Sequence, residues 1–257
     1  AAGGNSSVKL KSDEMIIKAS GFLLSDISEN IGYSKVITSS VAKIVRENEI
    51  LESLDKRERE LLTSQFLKNA TIDENNRPSI ETLLHSLLLK YTLHTHSIVV
   101  NMIAANKDWK ETLGIIFKNE SVALVDYETP GIELAIALDK ELGKFEKIPN
   151  IIILQNHGLI VTSDDKDDIK RFNELVLSRI EDYLKIDMSK YKLTNQISHL
   201  LTKTGDHINL TYLSEDNFLN KQIIVNQKLF NQIPFCPDTF VYCGISPCHL
   251  NNLTETL

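Results

Sequence analysis

The stretch "YTLHTHSIVV", residues 91–100, holds two of the chain's seven histidines, two positions apart. β-Branched and aromatic residues dominate it, which favours an extended strand. Successive side chains of a strand point to opposite faces. His94 and His96 therefore project from one face of a strand over 92–98, with Leu93 and Thr95 on the other. Two imidazoles one pleat apart can chelate a single metal ion. The same H-x-H spacing also arises by chance, as two exposed or hydrogen-bonded rings.

A third histidine alters the balance. His157 stands in "NIIILQNHGLIVTSD", residues 150–164, between a wholly apolar run and a glycine. An ionisable ring at the end of a buried strand needs a partner. Gly158 lets backbone or substrate come close. Three histidines with an open fourth position describe a catalytic zinc site rather than a closed structural one. From the pattern alone, a three-histidine site and three unrelated histidines both stand.

Outward from these residues the chain alternates strands and helices. Residues 14–19 and 121–127 read as strands, 33–49 and 52–69 as helices. In the second helix Leu54, Leu61, Leu62 and Leu67 mark an apolar stripe, and "DKRERE" a solvated face. Pro78 interrupts a loop, and Ser79 is placed to cap a helix carrying Ile80, Leu83, Leu84 and Leu87. Glu81 falls in its first turn. "VNMIAA", "TPGIELAIALDKEL" and "DKDDIKRFNELVLSRIEDYL" are further helices. Beyond about 190 the periodicity weakens, with strands expected at 207–213, 222–226 and 239–244. The expected architecture is one α/β layered domain over 1–257, with 190–257 a C-terminal extension on the same sheet.

A net charge of −7 argues against a general nucleic-acid or anionic-membrane binder, which needs a basic face. It leaves room for a local anion pocket. No apolar run approaches the ~20 residues of a membrane span. The opening "AAGGNSSVKL" has neither the basic nor the apolar region of a signal peptide. Cys236, Cys243 and Cys248 form no C-x-x-C pair. They are expected to be buried small hydrophobes in a reducing cytoplasm, rather than a zinc knot with His249.

Six ordered blocks carry a resemblance to a known family. They are "GGNSSVK" at 3–9, "IIKASG" at 16–21, "RPSIETLLH" at 77–85, "LHTHSIVVN" at 93–101, "VDYETPGIELA" at 125–135 and "LQNHGLIVTSDD" at 154–165. In these the chain resembles the class II aldolase/adducin family. The tail "PFCPDTFVYCG" at 234–244 is similar to the branch containing the aldolase part of bifunctional rhamnulose-phosphate aldolase/dehydrogenases. The resemblance implies a three-layer α/β/α fold with a largely antiparallel central sheet, and a homo-oligomer, usually a tetramer. It implies that His94, His96 and His157 bind a divalent metal, zinc by preference, and that Glu81 is the catalytic acid/base. Gly4, Asn5, Ser20, Gly21 and Ser79 fall where relatives grip the phosphate of a small sugar phosphate. The residues agree: "GGNSS", "ASG" and "PS" are small-residue turns of the kind that aim N–H groups and hydroxyls at an anion. Lys18 is placed to add charge or simply to be solvated.

The implied activity is a lyase that makes or breaks a C–C bond through a metal-stabilised enediolate. Epimerase, dehydratase and decarboxylase chemistry on the same metal, or an adducin-like non-catalytic assembly module, are the alternatives. Relatives often recruit a proton-donating tyrosine from a neighbouring subunit. The segment between "NMIAA" and "VDYETPG" contains none, and Tyr127 is the nearest. No G-x-G-x-x-G occurs, so nicotinamide chemistry is not expected in this chain.

Overall fold

The computed structural model describes residues 4–53, 55–73, 76–189, 191–192 and 217–226. The chain divides into two compact units, residues 1–178 and 179–257. The first holds a seven-stranded sheet in the order β3-β2-β1-β4-β7-β6-β5. The strands are β1 (Asn5–Lys9), β2 (Glu14–Lys18), β3 (Tyr33–Ile37), β4 (Tyr91–Thr95), β5 (Val122–Val125), β6 (Ile151–Leu154) and β7 (Gly158–Ser163). β5 and β6 run parallel; the other pairs are antiparallel. The expected mixed α/β fold with a largely antiparallel sheet is the one observed.

Helices cover both faces. On one side lie α1 (Thr38–Ile44), α2 (Asn48–Glu52), α3 (Lys56–Asn69), α4 (Thr82–Ser86) and α7 (Ile132–Leu142). Their apolar residues join Met15, Ile17, Val36, Ile152, Leu154 and Ile160 in one buried cluster. The alternate residues Ile151, Ile153, Leu159 and Val161 are equally buried. They face the other side, where α5 (Ile98–Ala104) packs on β6 and β7 and α6 (Trp109–Ile116) on α5. Burial on both faces explains why "IIIL" reads as an uninterrupted apolar run. α8 (Lys166–Leu184) follows β7, and α9 (Asn217–Val225) is the described element of the second unit.

Several expectations are corrected. Residues 33–37 form a strand, not the start of a helix: Tyr33, Val36 and Ile37 suit a pleat, and the segment pairs with β2 along its length. Residues 38–44 and 48–52 are helical, whereas 52–69 becomes helical only from Lys56, where the Asp55 carboxylate accepts from the amides of Arg57 and Glu58. Leu61 is 60% exposed and lies off the buried stripe. The charged run is not wholly solvated, because Arg59 pairs with Glu133 at 2.5 Å in a largely buried contact and Glu60 accepts from the amide of Ile132. The expected strand at 222–226 is helical through Val225, as part of Asn217–Val225. The strands expected at 207–213 and 239–244, the three cysteines, and His199, His207 and His249 lie outside the described residues.

The strand ends are drawn together by a glycine. A Cβ on Gly158 would collide with the Thr95 carbonyl and stand 3.2 Å from the His96 ring. Gly158→Ala should therefore cost about 1–3 kcal/mol of stability, the usual range for overpacking. A lowered urea midpoint at unchanged m-value is the measurement.

Candidate metal centre

The sheet register brings the chemistry to one end. Asn5 at the start of β1 pairs with His94 on β4, and Thr95 at the end of β4 pairs with Leu159 on β7. Ala19, just past β2, bridges to Pro78, and the Ser20 amide donates to the Arg77 carbonyl at 2.8 Å. The sequence-predicted residues Gly4, Asn5, Ser20, Gly21, Ser79, Glu81, His94, His96 and His157 thus gather at neighbouring element ends.

β4 ends at Thr95, so His96 lies one residue beyond the strand on which it was expected. Ser97 then caps α5 by accepting from the Val100 amide. His96 still turns inward. Its ring centroid is 4.8 Å from that of His94 and 4.7 Å from that of His157, and His94 and His157 are 4.9 Å apart. Asn156, in left-handed conformation at φ 52°, sharpens the turn that presents His157. The Asn101 side chain on α5 ties that turn down by donating to the His157 carbonyl at 3.1 Å. Sequence reasoning missed Asn101; its one signal is a polar residue at a buried position of "IVVNMIA".

Ser79 starts the turn into α4: its hydroxyl accepts from the Glu81 amide at 3.3 Å and its carbonyl from the Thr82 amide at 3.0 Å. Glu81 itself is the N-cap residue of α4, but its side chain makes no capping bond. The carboxylate reaches into the histidines instead. Oε1 lies 3.0 Å from His157 Nε2 and 3.7 Å from His96 Nε2, and Oε2 lies 3.3 Å from His94 Nδ1. Asn5 Nδ2 donates to Oε2. Burial alone would raise the Glu81 pKa. The attraction of His94 and the hydrogen bonds of the imidazoles outweigh it and hold the carboxyl well below its usual range. Burial pushes His157 down to about 4, against the pull of Glu81, so its ring is neutral at pH 7.

These groups fit a divalent cation. Each of Glu81, His94, His96 and His157 offers one donor atom, and the four atoms lie within 4.8 Å of one another. Neither nitrogen of the buried His94 ring has a well-aligned hydrogen bond among the described residues, although Nδ1 lies 3.3 Å from Glu81 Oε2. Three imidazoles with one carboxylate form a nitrogen–oxygen donor set suited to a divalent metal ion.

The anion-facing turns are arranged unevenly. Gly21 has open space before it, and Ser20 is exposed. The Ser20 amide, however, is engaged by Arg77, and the Asn5 amide by Glu81. Lys18 is not solvated: it is buried, and its ammonium donates to the carbonyls of Phe22 at 2.7 Å and Ala19 at 3.2 Å, shaping the turn. Burial lowers its pKa, with Glu81 and Asp26 pulling the other way. A cavity of about 560 Å³ lies apart from the histidines, between α3 and residues 71–80. The site chemistry, not that volume, identifies the centre.

The model of the Class II Aldolase and Adducin N-terminal domain matches residues 1–181. The chain belongs to the class II aldolase/adducin family. Among solved structures it is similar to the N-terminal class II aldolase domain of a Thermoplasma acidophilum protein. The two share 23% identity at a TM-score of 0.60, over 71% of this chain and 84% of that one. An aldolase II superfamily protein from Pseudomonas syringae aligns at 16% identity and a TM-score of 0.50, over 72% and 66% of the two chains. These likenesses support the class II aldolase fold. No curated protein matches the chain.

One buried ring of this class II aldolase/adducin domain predicts how stability responds to acid. His85 on α4 is fully buried and its pKa is pushed down to about 3, chiefly by burial. The unfolded ring, near pKa 6.5, binds a proton that the folded ring refuses. Its contribution is complete above pH 6.5 and falls by about 1.4 kcal/mol per pH unit below that, toward pH 3. Urea unfolding between pH 7 and 4.5 should show a shallower pH slope for His85→Leu than for the unsubstituted protein.

Proposed function

We propose that the chain is a divalent-metal-dependent lyase that makes or breaks a C–C bond beside the carbonyl of a phosphorylated ketose. The convergence of His94, His96, His157 and Glu81 within 4.8 Å carries this reading. His94, His96 and His157 would hold the metal, with zinc preferred for a three-imidazole set. When bound, the ion supplies a Lewis acid that polarises the ketone and lowers the energy of the enediolate left by bond cleavage.

Glu81 is the acid/base of this proposal. It stands as an ionised carboxylate against all three rings, so at rest it would serve as a fourth donor. A substrate entering with its own oxygens would displace it. Once moved off, Glu81 accepts the proton of the hydroxyl on the far side of the scissile bond. That oxygen's electrons then form the aldehyde carbonyl, and the bonding pair passes to the enediolate. Glu81 can return the proton to carbon. Gly4, Asn5, Ser20, Gly21 and Ser79 would bind the phosphate end, supported by their common place at the sheet end and the open space before Gly21.

The same reading includes a homo-oligomer, with a tetramer favoured, and a cytoplasmic location. Ile98 and Met102, 69% and 43% exposed on successive turns of α5 directly after the site, support a covered face. Among the described residues no helix is long and apolar enough to cross a membrane.

Metal analysis should find one divalent ion per chain, and dialysis against a chelator should abolish turnover. The assay is aldehyde release from a panel of ketose 1-phosphates and pentulose phosphates. Metal-loaded protein that releases no aldehyde but converts a panel member otherwise would point to an epimerase, dehydratase or decarboxylase. Protein that takes up no metal would point to an assembly module.

Glu81→Gln keeps the shape and removes the base. It should lower kcat by about a hundredfold or more while the three histidines still bind metal. Unchanged kcat would remove Glu81 from the proton-transfer role.

A further inference from the structure

β1 and α4 are joined by a ladder of polar contacts, of which the chemistry above uses only the Asn5–Glu81 end. Side chains two apart on β1 leave the same face, a step of roughly 6.6 Å. Residues four apart on a helix share a face and rise roughly 6 Å. The two steps nearly match, and the contacts follow them. Asn5 donates to Glu81, Ser7 Oγ lies 2.7 Å from His85 Nδ1, and Lys9 Nζ donates to the carbonyls of Ser86, at 2.7 Å, and Leu88. α4 has five residues, too few to hold a helix by itself in water. Its register, and with it the place of Glu81, has to come from outside.

His85 is the unusual member of the ladder. It is fully buried between Leu84 and the buried Ser86 of α4. One ring nitrogen meets Ser7, while the other, Nε2, is buried with no hydrogen bond among the described residues. A leucine would fill such a place without an unmatched polar atom. A buried ring that breaks this local rule points to a constraint other than stability.

We propose that Ser7 and His85 are positioning residues that fix where the Glu81 carboxylate stands among His94, His96 and His157. The Ser7–His85 contact sets the sliding and rotation of α4 along β1. One helical turn earlier, that setting places the Glu81 carboxylate 3.0 Å from His157 and 3.3 Å from His94. Neither residue touches the proposed metal or substrate. The inference rests on reading the histidines as a metal site, and it adds the device that holds the fourth donor.

Cobalt(II) tests it without any substrate, because its visible absorption reports the number and arrangement of donors. Glu81→Gln defines the spectrum of the ion when the carboxylate is withdrawn. Ser7→Ala and His85→Leu should each shift the cobalt spectrum from that of the unsubstituted protein toward that of Glu81→Gln. Ser7→Thr, which keeps the hydroxyl, should restore it. Ser7→Ala removes a single atom from a half-buried site, so it remains informative should His85→Leu fail to fold. Spectra that superimpose on that of the unsubstituted protein, with only the unfolding midpoint lowered, would reduce the pair to a packing contact and overturn the proposal. Failure of the unsubstituted protein to bind cobalt at all would instead overturn the metal reading, and this proposal with it.

Discussion

Along β1, β4 and β7, Asn5 faces His94 and Thr95 faces Leu159, and the centre depends on that register. A slip of one residue in an antiparallel pair turns every side chain to the opposite face. His94 would then leave the α4 side of the sheet, and Asn5 would lose Glu81. Two glycines guard the arrangement. Gly4, at φ 104°, would drive a Cβ into the His94 carbonyl, and Gly158 would drive one into the Thr95 carbonyl. The end of β4 is therefore held between two backbones that approach as only glycine permits.

Within that frame the electrostatics are self-consistent. A buried carboxylate without partners would take up a proton, and buried imidazoles resist one. At this site the opposing preferences meet: Glu81 is held ionised by the rings, and His157 is held neutral by burial. The result is a carboxylate oxygen and three imidazole nitrogens within 4.8 Å of one another, a donor set that could hold a metal ion. Lys18 holds the neighbouring turn from beneath by binding two of its carbonyls, an unusual use of a buried ammonium.

Asn5, Ser79, Glu81, His85, His94, Asn101 and His157 are all buried around one sheet end. By contrast, the core over β6 and β7 is wholly apolar through Ile151–Leu154 and Leu159–Val161. The apolar half supplies the rigidity that lets the polar half remain incompletely satisfied, which is where a site that binds rather than merely packs is expected.

Much of this was written in the linear sequence. Alternation in "YTLHTHS" placed His94 on the buried face of its strand but wrongly kept His96 on that strand, and the apolar run before "NHG" marked a buried strand and turn, because those signals are local. The strand at 33–37 runs straight into the helical residues 38–44, and its pairing with β2, which no local preference encodes, separates the two. The inward turn of Arg59 and Glu60 and the anchoring of His157 by Asn101 depend on residues 56 or more positions away. The sequence by itself determined which residue types could bind a cation and a phosphate, and roughly on which elements they sit. Only the tertiary structure decided that Asn5 and Ser7 meet α4. Those choices turn on strand register and on distances across chain separations of more than seventy residues, which no local pattern encodes.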